Sequence, residues 1–139
     1  MTAAAINVVG EFEYSPRVRQ LFAHLMHAGS LPSQPGMLVA QAGTIAQGAS
    51  VRLWLQEQQE RVLTARYQAY GCPHFLAACE SLASWLEGRS RAELDQWQWR
   101  VLEVELQMPA SKRTRLLLLE DVLQQLRTDW DRTRSQALV

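Results

Sequence analysis

Cysteine is scarce in this chain: two residues in 139, Cys72 and Cys79. Two thiols argue against a disulfide framework. They are also too few for a structural zinc site supplied by this chain alone, which usually takes four Cys or His ligands. Charge of one sign is missing as well, since fourteen basic residues balance fourteen acidic ones. A zero net charge gives no support to nucleic-acid or membrane-surface binding as the main business. The longest leucine run, Leu116 to Leu119, is far too short to span a bilayer. The start, Met1-Thr2-Ala3-Ala4-Ala5-Ile6, has no basic region before an apolar core, so no secretory signal is read there and a cytoplasmic location is expected. There is no internal repeat, no phosphate-cradling glycine loop, no Gly-x-Ser-x-Gly turn and no His-Glu-x-x-His helix. No nucleophile–base pair or paired-carboxylate site is visible either, and the expectation is a protein that is not an enzyme.

What is present is an ordinary globular composition, 47% apolar and 20% charged. It fits one domain over 1–139, long enough to bury a core, with flexible ends expected at 1–14 and 135–139. The chain turns on Ala65 to Gly88. Ala65, Tyr67 and Ala69 alternate with Arg66 and Gln68, the period of a half-buried strand. After Pro73 the period becomes helical through Leu76, Cys79 or Ala78, Leu82 and Leu86. Gly71 permits the change of direction, and Pro73 suits a first helical turn. Cys72 therefore falls at or just before a helix N-terminus, where amides and the helix dipole favour a thiolate. A small side chain filling a corner is the alternative reading of this window.

Upstream, Ser15-Pro16 predicts a helix start that runs through Val18, Leu21, Phe22 and Leu25 to Gly29. His24 and His27 stand three apart on it; without a third ligand they read as a solvated helix end rather than a metal pair. Ser30 to Gly36 is a connector. Met37 to Ala42 predicts a strand, and Gly43 to Ser50 a small-residue loop. Val51, Leu53 and Leu55 predict a second strand, Glu57 to Glu60 a turn, and Arg61 to Ala69 a third strand, giving an antiparallel meander. Downstream, Ser90-Arg91-Ala92-Glu93 matches a capping box. For Leu94 to Gln107 the first half reads as helix and the second half is left open. Trp97 and Trp99 read as core or hairpin packing rather than an exposed recognition patch. Pro109 breaks the chain, Ser111 can cap, and a long helix runs to about Arg134 on a stripe of Leu116, Leu119, Leu123 and Leu126. Lys112, Arg113 and Arg115 crowd its first turn against the helix dipole, as a solvated cluster or as a patch for an anionic partner.

The stretch Ala65-Arg66-Tyr67, Tyr70-Gly71-Cys72, Trp85, Gly88 and Ser90 resembles the U-type iron–sulfur cluster assembly scaffold family, IscU, SufU and the N-terminal domain of NifU. Weaker but ordered similarity extends to Tyr14-Ser15, His27-Ala28-Gly29, Pro109 and Leu119 to Leu123, over about residues 14 to 130. The resemblance implies an α+β fold, a three-stranded antiparallel sheet with helices packed against it, which agrees with the element order read from the residues. It implies an iron–sulfur cluster or zinc held on three cysteines with an aspartate and a histidine, and a cysteine desulfurase or another assembly protein as partner. The first family cysteine and its aspartate belong in an Ala-Cys-Gly-Asp loop, where this chain has Ala46-Gln47-Gly48-Ala49. The second is Cys72. The third sits in a His-Cys pair, where this chain has Thr114-Arg115. Gln47, Ala49, Thr114 and Arg115 thus mark degenerate ligand positions, with Cys72 the remaining metal candidate. Two-iron clusters need four protein ligands, normally thiolates, and Cys79 lies about two helical turns beyond Cys72, roughly 10 Å. The expectation is a scaffold-like protein that binds no cluster stably by itself and acts by partner binding, with Cys72 as sulfur acceptor or weak metal ligand. Two alternatives stay open: a non-metal interaction module acting through Lys112, Arg113 and Arg115, and a metal site shared with a partner chain. Oligomeric state is not legible.

Overall fold

The computed structural model describes residues 14–137. Three strands, β1 (Met37–Thr44), β2 (Ala49–Gln58) and β3 (Arg61–Tyr70), form one antiparallel sheet in the order β1-β2-β3. The register pairs Leu38 with Leu55, Ala40 with Leu53, and Leu53 with Tyr67. Their side chains therefore share one face, and all five of these residues are buried. Gln59 and Glu60 both take left-handed backbone angles, φ 55° and 65°, so the β2–β3 hairpin closes through the two-residue turn that strand twist favours even though neither is glycine. The meander read from the sequence is present, with β1 and β2 each longer than expected because a single 3-10 turn, Ile45–Gln47, joins them.

Helices cover the apolar face. α2 (Pro73–Leu86) lies along β3, and α4 (Arg113–Ala137) crosses β1 and β2. α1 (Pro16–Ala23) packs on α2, and α3 (Trp99–Glu105) on α4. Leu116, Leu119, Leu123 and Leu126 are all buried, as their spacing predicts, with Val122 and Trp130 beside them. Each fully buried leucine removes apolar surface worth about 1.5–3 kcal/mol, so the stripe is the main attachment of α4. Ser15 does cap α1: its hydroxyl accepts from the Val18 amide at 3.2 Å and donates to the Leu106 carbonyl at 2.8 Å. This one side chain joins the first helix to the end of α3.

Three expectations are corrected. α1 stops at Ala23 rather than Gly29. The next residues turn and lay Ala28 beside β3 instead, where Tyr67 N–H donates to the His27 carbonyl and Gly29 N–H to the Tyr67 carbonyl. In Leu94 to Gln107 the first half, read as helix, holds only the end of a 3-10 turn, Ala92–Gln96, and the half left open holds most of the α-helix, Trp99–Glu105. The Ser90–Glu93 capping box is nevertheless formed, at 2.8 and 3.3 Å. Trp97 is buried and Trp99 packs against the core, with Arg100 stacked over its ring at 4.7 Å. At the ends, Tyr14 packs on the core and α4 continues through Ala137. The rest of the expected flexible ends, 1–13 and 138–139, lies outside the described residues.

Each sheet edge is engaged over part of its length. On β3, Glu87 accepts from the Ala65 amide at 3.0 Å, and Val62 exchanges hydrogen bonds with Gly88 and Arg89. On β1, the Gln125 side chain of α4 donates to the Gln41 carbonyl at 2.9 Å and faces its amide at 3.4 Å. Among the described residues, no helix is long and apolar enough to cross a membrane.

Candidate functional site

β2 and β3 pair through Ser50 and Tyr70, so Ala49 and Cys72 emerge at the same end of the sheet. Cys72 is the N-cap of α2, half-buried, with Pro73 in the first turn and no hydrogen bond from its own side chain to the helix. Gly71 matters here for space: a Cβ on it would sit 2.8 Å from the Phe75 ring, so the corner closes only because nothing stands there. The sequence argument gave the same residue for a different reason, backbone direction.

The loop before β2 meets the start of α4 at this end. Gly48 caps the 3-10 turn with φ 91°, a left-handed conformation that suits glycine. A Cβ there would lie 3.0 Å from the Arg115 guanidinium. One Arg115 nitrogen is 3.5 Å from the Gln47 carbonyl, while its Nε is buried with no hydrogen-bond partner. Gln47, Ala49, Cys72, Thr114 and Arg115 are thus gathered at one end of the sheet, from three separate stretches of chain. Ala49 is fully buried, Gln47 and Thr114 are exposed, and Cys72 is the single thiol among them. Cys79 is turned into the core; burial and the neighbouring Glu80 charge push its thiol well up. Of the basic trio, Arg113 pairs with Glu103, while Lys112 and Arg115 have no ion-pair partner among the described residues.

His74 escaped the sequence reading. It sits two residues after Cys72, is 5% exposed, and neither ring nitrogen has a hydrogen-bond partner. Its ring lies 4.7 Å from that of Tyr14. Burial, reinforced by the Lys112 charge, holds it below the ordinary imidazole value. The only sequence signal was its place in a helix's first turn beside Pro73.

Glu80 escaped as well. It is 4% exposed on the buried side of α2. Tyr67 donates to it at 2.9 Å, and His27 reaches it through both backbone amide (3.0 Å) and ring Nδ1 (2.6 Å). The other ring nitrogen of His27 meets Glu87 at 3.0 Å, and Glu87 also accepts from Arg66. Both nitrogens can donate only as imidazolium. Burial alone would lower the His27 pKa, but the hydrogen bonds and charges of Glu80 and Glu87 outweigh it and raise the value above 6.5. The reading of His24 and His27 as a solvated helix end is therefore corrected for His27, which is clamped between two carboxylates; His24 is exposed. Among the described residues, no three His, Cys, Asp or Glu side chains are placed to share a metal ion.

Known proteins share the fold and the family of this chain. The family model described as NifU-like N terminal domain matches residues 13–137. The chain is 25% identical over 112 residues to the iron–sulfur cluster assembly scaffold protein IscU of Azotobacter vinelandii, covering 79% of this chain and 88% of that one. It is 38% identical over 78 residues, 55% of its length, to a bifunctional NifU/MnmA protein of Rubrobacter xylanophilus, and spans 16% of that longer protein. In three dimensions it is similar to a SUF-system scaffold protein of Fervidobacterium islandicum, with TM-score 0.66 and 12% identity over 85% of this chain and 98% of that one. It is also similar to the N-terminal part of a NifU-like protein of Brucella abortus, with TM-score 0.51 and 20% identity over 59% and 56%. The α+β meander with helices on one face is the fold of these neighbours, and the chain belongs to the NifU-like N-terminal domain family, the U-type scaffold family.

Proposed function

We propose that the chain serves iron–sulfur cluster assembly as a scaffold-type protein that binds assembly partners but does not hold a cluster on its own residues. Membership in a family of assembly scaffolds supports the first half. One observation carries the second. The positions that correspond to the family's ligands meet at one end of the sheet, and a single thiol, Cys72, stands among Gln47, Ala49, Thr114 and Arg115.

Such a donor set does not fit a cluster, which takes four ligands, normally thiolates. The Ala49 methyl cannot ligate, and the Arg115 guanidinium is a fixed cation with no lone pair to give. Cys79 faces the core and contributes nothing.

Cys72 retains one role that needs no second ligand, acceptance of sulfur from a cysteine desulfurase. Its thiolate attacks the outer sulfur of the desulfurase persulfide; a new S–S bond forms at Cys72 and the desulfurase cysteine leaves as thiolate. The half-exposed N-cap position gives the sulfur a path to a partner, and Ile45 and Leu117, exposed on the loop of Gln47 and on the helix of Arg115, offer that partner apolar surface.

The test is iron and acid-labile sulfide content of the purified protein, before and after anaerobic incubation with iron, cysteine and a desulfurase, beside Cys72→Ser. Sulfane sulfur bound to the parent chain, absent from the variant and without stoichiometric iron, is the expected result. Near-stoichiometric iron and sulfide that vanish in the variant would overturn it and mean that another chain supplies the missing ligands.

A further inference from the structure

We infer that the cleft between α1 and α2 binds a small uncharged amphiphile, an apolar or aromatic body carrying a hydroxyl or amide head. Its lining on α2, Glu80 to Trp85, starts about two helical turns beyond Cys72, roughly 12 Å along the axis. The site neither uses the thiol nor rests on sulfur acceptance.

Helical spacing puts Arg17, Gln20 and Leu21 on one face of α1 and Ser81, Ser84 and Trp85 on one face of α2. The two faces border a space of about 450 Å³, a volume in the range of small-molecule pockets. The space exists because two of the facing α2 positions are serines, where leucines would fill the gap. α1 then stops at Ala23, and the chain turns to set Met26 and His27 across the end. That end wall is fixed. Glu80, only 4% exposed in the lining, holds His27 through backbone amide and ring. The cleft is thus formed before a ligand arrives, and little ordering is left to oppose binding.

The lining selects the ligand. Its charges are already matched: Arg17 meets Glu105 at 3.2 Å, and His27 lies between Glu80 and Glu87. A charged ligand would have to compete with one of these pairs, and opening the more buried one is costly. The polar groups left over are hydroxyl and amide. Among the described residues the Ser81 and Ser84 side chains make no hydrogen bond, and a hydroxyl can both donate and accept. Gln20 gives its side-chain oxygen to Arg17 and keeps its amide N–H groups. Leu21, Met26 and Trp85 supply apolar wall. Met26 is 78% exposed, an unbranched side chain able to conform to an apolar body. Apolar walls with a few convergent neutral groups are the composition of a site for an uncharged molecule.

Phenylpropanol, phenylpropionate and phenylpropylamine share one body and differ in the charge of the head, so together they test this. Titrated into the whole chain and followed by amide NMR, the alcohol is expected to saturate a single site. It should move the Trp85 indole resonance together with the Ser81 and Ser84 amides. The acid and the amine should bind about tenfold more weakly, the cost of disturbing an ion pair. Ser81→Leu should remove binding by filling the cleft, and Ser84→Ala should weaken it about fivefold, the loss of one neutral hydrogen bond. Neither serine is buried, and circular dichroism checks that both variants fold. Arg132→Ala, exposed on α4, should leave binding unchanged. An alcohol that fails to saturate, three probes that bind alike, or binding that survives Ser81→Leu would each overturn the assignment. The same resonances moving with protein concentration alone would overturn it too, and give the cleft to a second copy of the chain. Cys72→Ser should abolish sulfur acceptance and spare alcohol binding, so either proposal can fail alone.

Discussion

Two ends of the β3–α2 unit treat polar groups in opposite ways. Along the edge of β3, every partner of the His27 ring is a carboxylate, and both carboxylates are shared further, Glu80 with Tyr67 and Glu87 with Arg66 and the Ala65 amide. At the Cys72 end, His74 and Arg115 keep buried nitrogens with no partner at all. The first region is a closed network whose members stabilise one another. The second leaves enclosed donors unsatisfied, which costs some stability, and it does not act as a strut.

The largest way to break this contrast is Glu80→Ala. It leaves the Tyr67 hydroxyl and the His27 Nδ1–H and backbone amide without their acceptor, with Glu87 still on the other ring nitrogen, and should lower unfolding stability by about 3 kcal/mol in urea denaturation. Cys79→Ser should follow, at about 2 kcal/mol, because it puts a hydroxyl where the thiol is fully enclosed. Cys72→Ser should change stability by less than about 0.5 kcal/mol. A thiol probe in native buffer should accordingly label Cys72 and reach Cys79 only on unfolding.

Acidity gives a smaller, signed effect. His27 is raised in the folded state, so its contribution is fully present below the unfolded value of 6.5 and is lost as pH rises through the folded value. Glu87 runs the other way. Burial would raise it, but the Ala65 amide, His27 and Arg66 pull it below 4.5, and its contribution disappears as pH falls through that lowered value. Stability should therefore decline on the alkaline side of 6.5 in the parent chain, and His27→Gln should flatten that decline. A slope unchanged by the substitution would assign it to another group.

Arg115→Ala should be the smallest perturbation, within about 0.5 kcal/mol of the parent, since no carboxylate is orphaned. A loss comparable to that of Glu80→Ala would show that the Cys72 end is a strut after all.

The sheet was legible because alternation is local: Val51, Leu53 and Leu55 declare their face without reference to any other residue. The corner at Gly71, the cap at Ser15 and the leucine stripe of α4 were legible on the same ground. Leu94 to Gln107 misled because a 3-10 turn and an α-helix, with different periods, meet at Gln98. The network at Glu80 was invisible for another reason. Its histidine partner lies 53 residues away, and a lone glutamate beside Cys79 reads as the solvent side of a helix. The gathering of Gln47, Cys72 and Arg115 came from family motifs rather than from composition, and the orphaned nitrogens of His74 and Arg115 belong to packing alone.

Gln125 has a bearing on life at high concentration. By occupying the outward amide and carbonyl of Gln41, a single side chain withholds the middle of β1 from any neighbouring molecule seeking a strand to pair with. The guard is cheap to remove and invisible to a folding assay. Gln125→Leu would leave the monomer intact and turn that edge into a template for self-association.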